Sequence, residues 1–549
     1  MNQENQNMAK KPQVWMPVLL SLALVAGMLI GSRLQPAAPT VVLETKEDVS
    51  NNLGQGKIEE LLRYIEAKYV DEVDRDELIQ RAIDEILENL DPHSNYISAE
   101  QLQEVNEQLE GNFDGIGVEF MILEDTIVVV SPLAGGPSES VGIMAGDKIV
   151  AIEDSVIAGV DITTKDVMKL LRGEKGSKVT VSVKRSNVDD LLNFTITRDE
   201  IPMHSVDIAY MVDDKTGYIK INRFSATTYE EFMKGLEELV EKKQMEDLII
   251  DLRHNPGGYL QEATKILSEL FKDKEKLLVY TEGRTVHRND YESKGRAYYK
   301  VDDVAVLIDE GSASASEILA GAIQDHDRGT IIGRRSFGKG LVQEQYKLRD
   351  GSALRLTVAR YYTPSGRSIQ KSFEDRDGYD SDIMERYNSG ELSSEEKVAV
   401  FDSTEYFTSE GRVVYGGGGI SPDIFVPLDT VLMNDTYLEM RQHVPQFVYR
   451  YFDNNPASFD YTLENFVNNY RVDAGVINQF LDYATEKGVT IDGALDGVEL
   501  SELKRFIKAR MGKHLYSDEG FYSVWNKDDE MIQKAKEILN ASTPITSNK

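Results

Sequence analysis

The spacing of apolar residues changes character several times along the chain. Ile58, Leu61, Leu62, Ile65 and Tyr69 recur every three or four positions, which predicts an amphipathic helix. Leu78, Ile79, Ala82, Ile86 and Leu90 predict a second helix over about 76–90, terminated by Asp91-Pro92. From Gly111 to about Arg198 the pattern shortens into β-type runs (126–130, 148–152, 178–183) parted by turns of Gly, Pro and Asp. From Val206 onward strands and helices alternate. DLIIDL (247–252) reads as a buried strand, Asn255-Pro256-Gly257-Gly258 as a turn and 260–271 as a helix; 304–308 is the next strand, 310–314 the next turn and 315–324 the next helix. That alternation predicts an α/β layer, in which ligands and chemistry collect at the C-terminal ends of the strands. Residues 371–415 are polar and irregular and predict an insertion. After about Asp429 aromatic and helical patterns dominate, with Leu500, Leu503, Phe506 and Ile507 at helical spacing, and predict a further helical domain outside the catalytic centre.

One run differs from all of these. VWMPVLLSLALVAGMLIG (14–31) carries no charge over 18 residues, just enough for a helix to cross a ~30 Å hydrocarbon core. Lys10 and Lys11 precede it and Glu44, Glu47 and Asp48 follow, so the charge bias puts the N-terminus in the cytoplasm and the remainder in the periplasm. An uncleaved inner-membrane anchor is the preferred reading, and a cleaved signal peptide, with Pro36-Ala37-Ala38 as a weak processing site, is the rival.

Length and composition narrow the class. A chain of 549 residues calls for two to four domains. Hydrophobic residues at 41% supply real cores, and a net charge of -33 excludes nucleic acid as partner, since phosphate binding needs a basic surface. With no cysteine, disulfides, thiolate catalysis and cysteine metal sites are excluded.

Two turns at strand ends carry unusual residues, DLRHNPGG (251–258) and GSASASEI (311–318). A serine at a helix N-terminus has a dipole and free N–H groups beside it, both suited to a developing negative charge. Helix capping explains one serine, but not Ser312, Ser314 and Ser316 alternating with alanine beside a Gly-Gly turn. None of the seven histidines forms a recognisable Ser-His-Asp set, and His254 and His326 read as structural. Lys339, between Gly338 and Gly340, is the better base candidate, provided burial lowers its pKa; taken alone it reads as a surface lysine. GRRSFGKG (333–340) nearly spells a phosphate-binding loop, but Gly340 stands where Ser or Thr must hold Mg²⁺.

With these residues assembled, GSASASEILAGAIQDHDRGTIIG followed by SFGKGLVQ resembles the carboxyl-terminal processing peptidases, serine endopeptidases with a Ser/Lys dyad. DLRHNPGG, LTVARYYTPSGRSIQ, GGGGISPDI and LDPHSNYIS share the resemblance, which covers roughly residues 57–428. It implies Ser314 as nucleophile, Lys339 as base and Gln343 as the residue orienting the lysine. It also implies an oxyanion hole from the backbone N–H groups of Ala315 and Gly258 (or Gly257), with no metal or organic cofactor. A PDZ domain is implied too: Gly115, Ile116, Gly117 and Val118 would bind a peptide carboxylate while the peptide adds a strand to the sheet edge. Arg172 lies where the family has a similar arginine, for substrate binding or domain coupling.

The expected architecture is therefore a multidomain α/β protein with a β-rich PDZ-like domain. It runs as anchor or signal segment 1–35, linker 36–56, helical segment 57–110, PDZ-like domain 111–200, catalytic domain 201–428 and mostly helical extension 429–549. Its expected partners are proteins or peptides with free C-termini, and a homo-oligomer is left open. The expected function is endoproteolysis at or near those termini. The alternative is a non-catalytic peptide-binding scaffold of the same fold.

Overall fold

The computed structural model describes residues 56–186, 188–429, 435–455, 459–491, 495 and 497–541. The apolar run 14–31 lies outside them. Among the described residues no helix is long and apolar enough to cross a membrane. The chain divides into two compact units, residues 1–82 and 83–549. The described part of the first holds helix α1 (Lys57–Lys68) and the start of α2 (Arg75–Glu88), where Arg75 pairs with Glu59 and Glu66 at 2.8 and 2.9 Å.

The second unit takes the end of α2 and continues with strand β1 (Asn95–Ile97) and helix α3 (Ala99–Glu110), the latter fixed by a Ser98–Gln101 capping box. The β-rich domain follows: β2 (Asn112–Gly115), β3 (Val118–Leu123), β4 (Thr126–Pro132), α4 (Pro137–Ser140), β5 (Lys148–Ile152), β6 (Ser155–Val156), α5 (Thr164–Leu171), β7 (Lys178–Lys184), β8 (Leu192–Thr197) and β9 (Asp199–Pro202). Its sheet runs β3-β4-β5-β7-β8 with β6 on β5, and β2 pairs separately with β9. Alternate residues of β7, Val179, Val181 and Val183, are fully buried, as the period of two requires for a sheet with one face inward.

The α/β layer comprises β10 (Val206–Met211), β11 (Thr216–Ile221), α6 (Thr228–Glu237), β12 (Asp247–Asp251), α7 (Leu260–Leu270), β13 (Lys274–Glu282), β14 (Asn289–Lys294), β15 (Val304–Ile308), α8 (Ala315–Asp325), β16 (Thr330–Gly333), β17 (Leu341–Lys347) and β18 (Ala353–Tyr362). The main sheet runs β10-β11-β12-β15-β16 and closes on β21 (Ile424–Phe425), parallel throughout except for β10. Strands β12 and β15 are buried along their whole length, as a parallel sheet covered on both faces demands. Helices α6, α7 and α8 cover one face through Phe232, Leu236, Ile266, Leu267, Leu319 and Ile323. A second sheet, β1-β18-β13-β14 with β17 on β18, brings the segment after Asp91 against strands of the α/β layer.

Two expectations need correction. Residues 371–415 are not irregular: they form helix α9 (Arg376–Ser389) and a hairpin of β19 (Asp402–Phe407) and β20 (Val413–Gly416). Buried ion pairs hold this insertion, Arg335 and Arg386 on Glu391 at 2.8 and 2.9 Å and Lys371 on Asp382 at 3.1 Å. Charges paired in this way leave no apolar stripe for a sequence pattern to reveal. The extension after Asp429 is likewise not one appended domain. Helices α10 (Asp435–Asn454), α11 (Leu463–Asn469), α12 (Ala474–Glu486) and α13 (Gly497–Trp525) do enclose their own aromatic core around Phe447, Phe480 and Phe506. Helix α13 breaks at Tyr516 and Ser517, and its two arms meet at Gly512 and Gly520, where a Cβ on Gly520 would stand 2.2 Å from the Gly512 carbonyl oxygen. The last helix, α14 (Glu530–Asn540), instead returns to the α/β layer. Its Met531, Ile532, Ala535 and Leu539 cover the second face of the main sheet against Tyr218, Ile249, Ala305, Leu307 and Ile332.

Candidate active site

Three loops leave the C-terminal ends of the adjacent parallel strands β12, β15 and β16, so 252–258, 309–314 and 334–340 converge. Side-chain bonds stitch them together. Ser312 Oγ donates to the Leu252 carbonyl at 2.8 Å, and Ser316 Oγ to the Asn255 carbonyl at 3.0 Å. Both serines are fully buried. Of the alternating trio, Ser314 alone is spared this structural duty and remains partly exposed. It caps α8 with φ 56°, a left-handed conformation that costs a non-glycine residue energy and that surrounding contacts must hold in place.

Those contacts centre on Glu317, fully buried three residues on. Glu317 Oε2 accepts the backbone N–H groups of Ser314 and Lys339, both at 2.8 Å, and Oε1 accepts Gly338 N–H at 2.7 Å and Ser336 Oγ–H at 2.5 Å. Burial outweighs the pull of these donors and leaves the Glu317 pKa above the ordinary carboxylate value. Because donors surround both oxygens, the ionised acceptor-only form is the one that fits. From the other side, the Tyr361 hydroxyl lies 3.0 Å from the Ser314 carbonyl and 2.6 Å from that of Lys339. The backbones of Ser314 and Lys339 are thus bridged twice.

Lys339 is substantially buried, and its pKa lies below the ordinary lysine value. Burial is the main cause and nearby Arg355 adds to it, against opposing pulls from Glu317 and Asp91. Its Nζ donates to Gln343 Oε1 at 3.1 Å, and Gln343 Nε2 in turn donates to the His93 carbonyl. No hydrogen bond joins Ser314 Oγ to Lys339 Nζ among the described residues. His93 Nε2 meets the Tyr379 hydroxyl of α9 at 2.6 Å, and burial, then the charge of Lys339, lowers its pKa to about 4. Asp91 binds Ser94 Oγ at 2.6 Å and Thr357 Oγ1 at 3.0 Å, which fastens this turn to β18.

Opposite the serine, the Gly257-Gly258 turn presses on the nucleophile loop so closely that a Cβ on Gly257 would stand 2.6 Å from that of Ser314 and 2.9 Å from Ala315 N. Asn255 Oδ1 already takes the Gly257 N–H at 2.9 Å. That leaves Gly258 N–H and Ala315 N–H as the unengaged donors of this corner among the described residues.

The remaining sequence candidates fall elsewhere. His326 binds the Leu277 carbonyl at 2.6 Å and packs edge-on to Phe271. His254 leans on Asp309 at 3.0 Å with its side chain exposed. In the loop resembling a phosphate cradle, the N–H groups of Gly338, Lys339 and Gly340 are all spent on Glu317 and Gln370. In the β-rich domain, Gly115 ends β2, Ile116 is buried, Gly117 has φ 67° and Val118 starts β3. Ser138 Oγ fixes the Ile116 carbonyl at 2.5 Å, and among the described residues the Ile116 and Gly117 N–H groups take no partner. Arg172 stacks 4.5 Å above Phe113 and pairs with Glu107 of α3 at 2.9 Å, so it links the β-rich domain to the preceding helix.

Sequence reasoning missed Glu317, Tyr361, His93 and Tyr379. Glu317 was signalled, since Ser314-x-x-Glu317 is a capping-box spacing. His93 lay within a motif noticed only as a resemblance. Tyr361 likewise lay within a resemblance motif, LTVARYYTPSGRSIQ, without a role of its own, and Tyr379 carries no local signal.

Peptidase family S41 matches residues 215–384, a PDZ domain matches 115–197, and a family of unknown function (DUF8443) matches 436–518. The chain is 37% identical over 353 residues to carboxy-terminal processing protease CtpB of Bacillus subtilis, spanning 63% of this chain and 72% of that protein. It is 36% identical over 352 residues to a carboxy-terminal-processing protease of Bartonella bacilliformis, spanning 63% and 79%. Among solved structures, a photosystem II D1 C-terminal processing protease is 26% identical, covering 68% of this chain and 87% of that one with a TM-score of 0.35.

Proposed function

The chain belongs to the S41 carboxy-terminal processing serine proteases, and from that premise we propose that it cleaves proteins near their C-termini through a Ser314–Lys339 dyad. The observation carrying this reading is the double bridge from Glu317 and Tyr361, which ties the backbone of a strained, partly exposed serine to that of a partly buried lysine.

Neutral Lys339 takes the Ser314 hydroxyl proton as Oγ attacks the scissile carbonyl, after a rotation that brings Nζ from Gln343 toward Oγ. Gly258 and Ala315 N–H stabilise the oxyanion. The lysine then protonates the leaving amine, and water, deprotonated by the same lysine, resolves the acyl-enzyme. Substrate is chosen by its free carboxylate, bound at the amides of 115–118, while the peptide adds to β3.

We further propose that the run 14–31 anchors the chain in the inner membrane with the catalytic part in the periplasm, on the strength of its uncharged length and flanking lysines. The test of substrate choice compares one protein substrate with a free and with an amidated C-terminus. Cleavage should fall about tenfold or more on amidation, the loss of a charge-assisted carboxylate site. Equal rates would refute terminus selection. A protein that binds the free terminus and never cleaves would instead be the scaffold.

A further inference from the structure

Strand β3 is the edge of the PDZ sheet. The Gly117 carbonyl accepts Leu133 N–H at 3.0 Å, and the two-residue turn Glu124-Asp125 closes the hairpin with Leu123 opposite Thr126. Backbone groups of 117, 119, 121 and 123 therefore turn toward β4, and those of Val118, Phe120 and Ile122 turn toward the open edge. A peptide whose carboxylate sits at 115–118 and whose backbone adds to this edge has a fixed register. Its last residue lies opposite Val118, the third from the end opposite Phe120, and the fifth opposite Ile122.

The groups at that last position are not all free. Gln446 of α10 donates its Nε2 to the Ile122 carbonyl at 3.1 Å, the acceptor that the fifth peptide residue would use. The amide is oriented by the Tyr483 hydroxyl of α12, which donates to Gln446 Oε1 at 3.2 Å. The helical domain meets the PDZ domain elsewhere as well: Lys513 Nζ lies 3.8 Å from Glu119 Oε1, and a Cβ on Gly146 would stand 3.6 Å from the Tyr449 hydroxyl. The contact at Ile122 is thus one point of a seated interface.

We propose that the helical domain of residues 435–525 is the end-stop of the PDZ groove, confining strand addition to the last four residues of a substrate and turning the chain upstream of them off the sheet. Gln446 is then a specificity-determining residue, and the recognised ligand is an extended tetrapeptide with a free carboxylate. This rests on the terminus-selection reading above.

The test uses the full chain carrying Ser314→Ala, which prevents cleavage, and N-terminally labelled peptides of three to eight residues sharing one apolar C-terminal sequence. Affinity should rise up to four residues and stay level beyond. Adding Gln446→Ala should tighten binding of five-residue and longer peptides about fivefold, the worth of one net strand hydrogen bond, and leave the tetrapeptide unchanged. Tyr483→Phe, which frees the amide without removing it, should give the same length pattern at smaller amplitude and covers the case of a Gln446 variant that folds poorly. If the parent chain already gains at five and six residues as much as the Gln446 variant does, the end-stop is wrong while terminus selection stands. If no peptide binds, or amidated peptides bind equally well, terminus selection itself fails and the end-stop falls with it.

Discussion

Ser314 has a backbone no ordinary cap would choose, and the reason lies in the two residues that hold it. Glu317 and Tyr361 each touch both members of the proposed dyad through the main chain, so the two backbones are held together, while the Lys339 side chain is held separately by Gln343. Lys339→Ala should lower turnover by about 10²–10⁴-fold, the usual worth of a positioned base, with an unchanged fold by circular dichroism. Glu317→Gln places an amide NH₂ where donors already converge. It should lower kcat more than it raises KM and cost about 1–3 kcal/mol of stability in urea unfolding. The pH profile has a definite sign: only neutral lysine accepts the proton, so kcat/KM should climb with pH through the lowered Lys339 pKa. Arg355 helps lower that pKa, so Arg355→Met should move the climb to higher pH. At this scale much of the site was legible. The serine-alanine alternation beside a Gly-Gly turn singled out Ser314 as a candidate, Lys339 entered on the strength of the family resemblance, and the capping-box spacing of Glu317 was a signal left unread. The roles of Tyr361, which lay in a resemblance motif, and of Tyr379, which lay in none, were not legible, because a tyrosine on a distant strand or helix acquires its role only when tertiary structure delivers its hydroxyl.

At the scale of elements, alternation of strands and helices gave the α/β layer and its strand-end loops directly, because a fully buried strand such as DLIID has an unmistakable composition. Helix α14 shows where that reading stops. Its amphipathic pattern resembles that of the helices before it, and nothing local says that its apolar face meets the main sheet rather than the helical domain. The four side chains it buries there are mutually dependent with the sheet. Ile532→Ala should cost about 2–4 kcal/mol in urea unfolding while leaving kcat unchanged well below the melting temperature. A chain ended at Asp529 should fail to accumulate as folded protein, whereas an appended helix would be dispensable. The turn carrying His93 behaves differently. Its pKa is lowered from 6.5 to about 4, so between those values the unfolded chain binds a proton that the folded one refuses, and stability falls as pH drops through that window. The loss is bounded at about 3 kcal/mol and is reduced by solvent screening. His93→Gln should flatten that dependence in melting curves taken between pH 4 and 7.

For the molecule as a whole, the PDZ domain connects on two sides, through Arg172 and Glu107 to α3 and through Gln446 and Lys513 to the helical domain. Such a placement suits a module that reports substrate binding to the rest of the chain. A switch from mostly closed to mostly open would need roughly 5.5 kcal/mol of differential affinity, which a bound carboxylate supplies only in part. The central claim, however, is simpler than any switch: Ser314 is the nucleophile, activated by neutral Lys339. Reaction of the full chain with a fluorophosphonate, followed by mass spectrometry of the digested protein, tests it most directly. The account predicts a single stoichiometric adduct on Ser314, formed faster as pH rises, and reduced about 10²–10⁴-fold in rate by Lys339→Ala. An adduct on another residue, or labelling of Ser314 that is indifferent to both pH and Lys339, would contradict it.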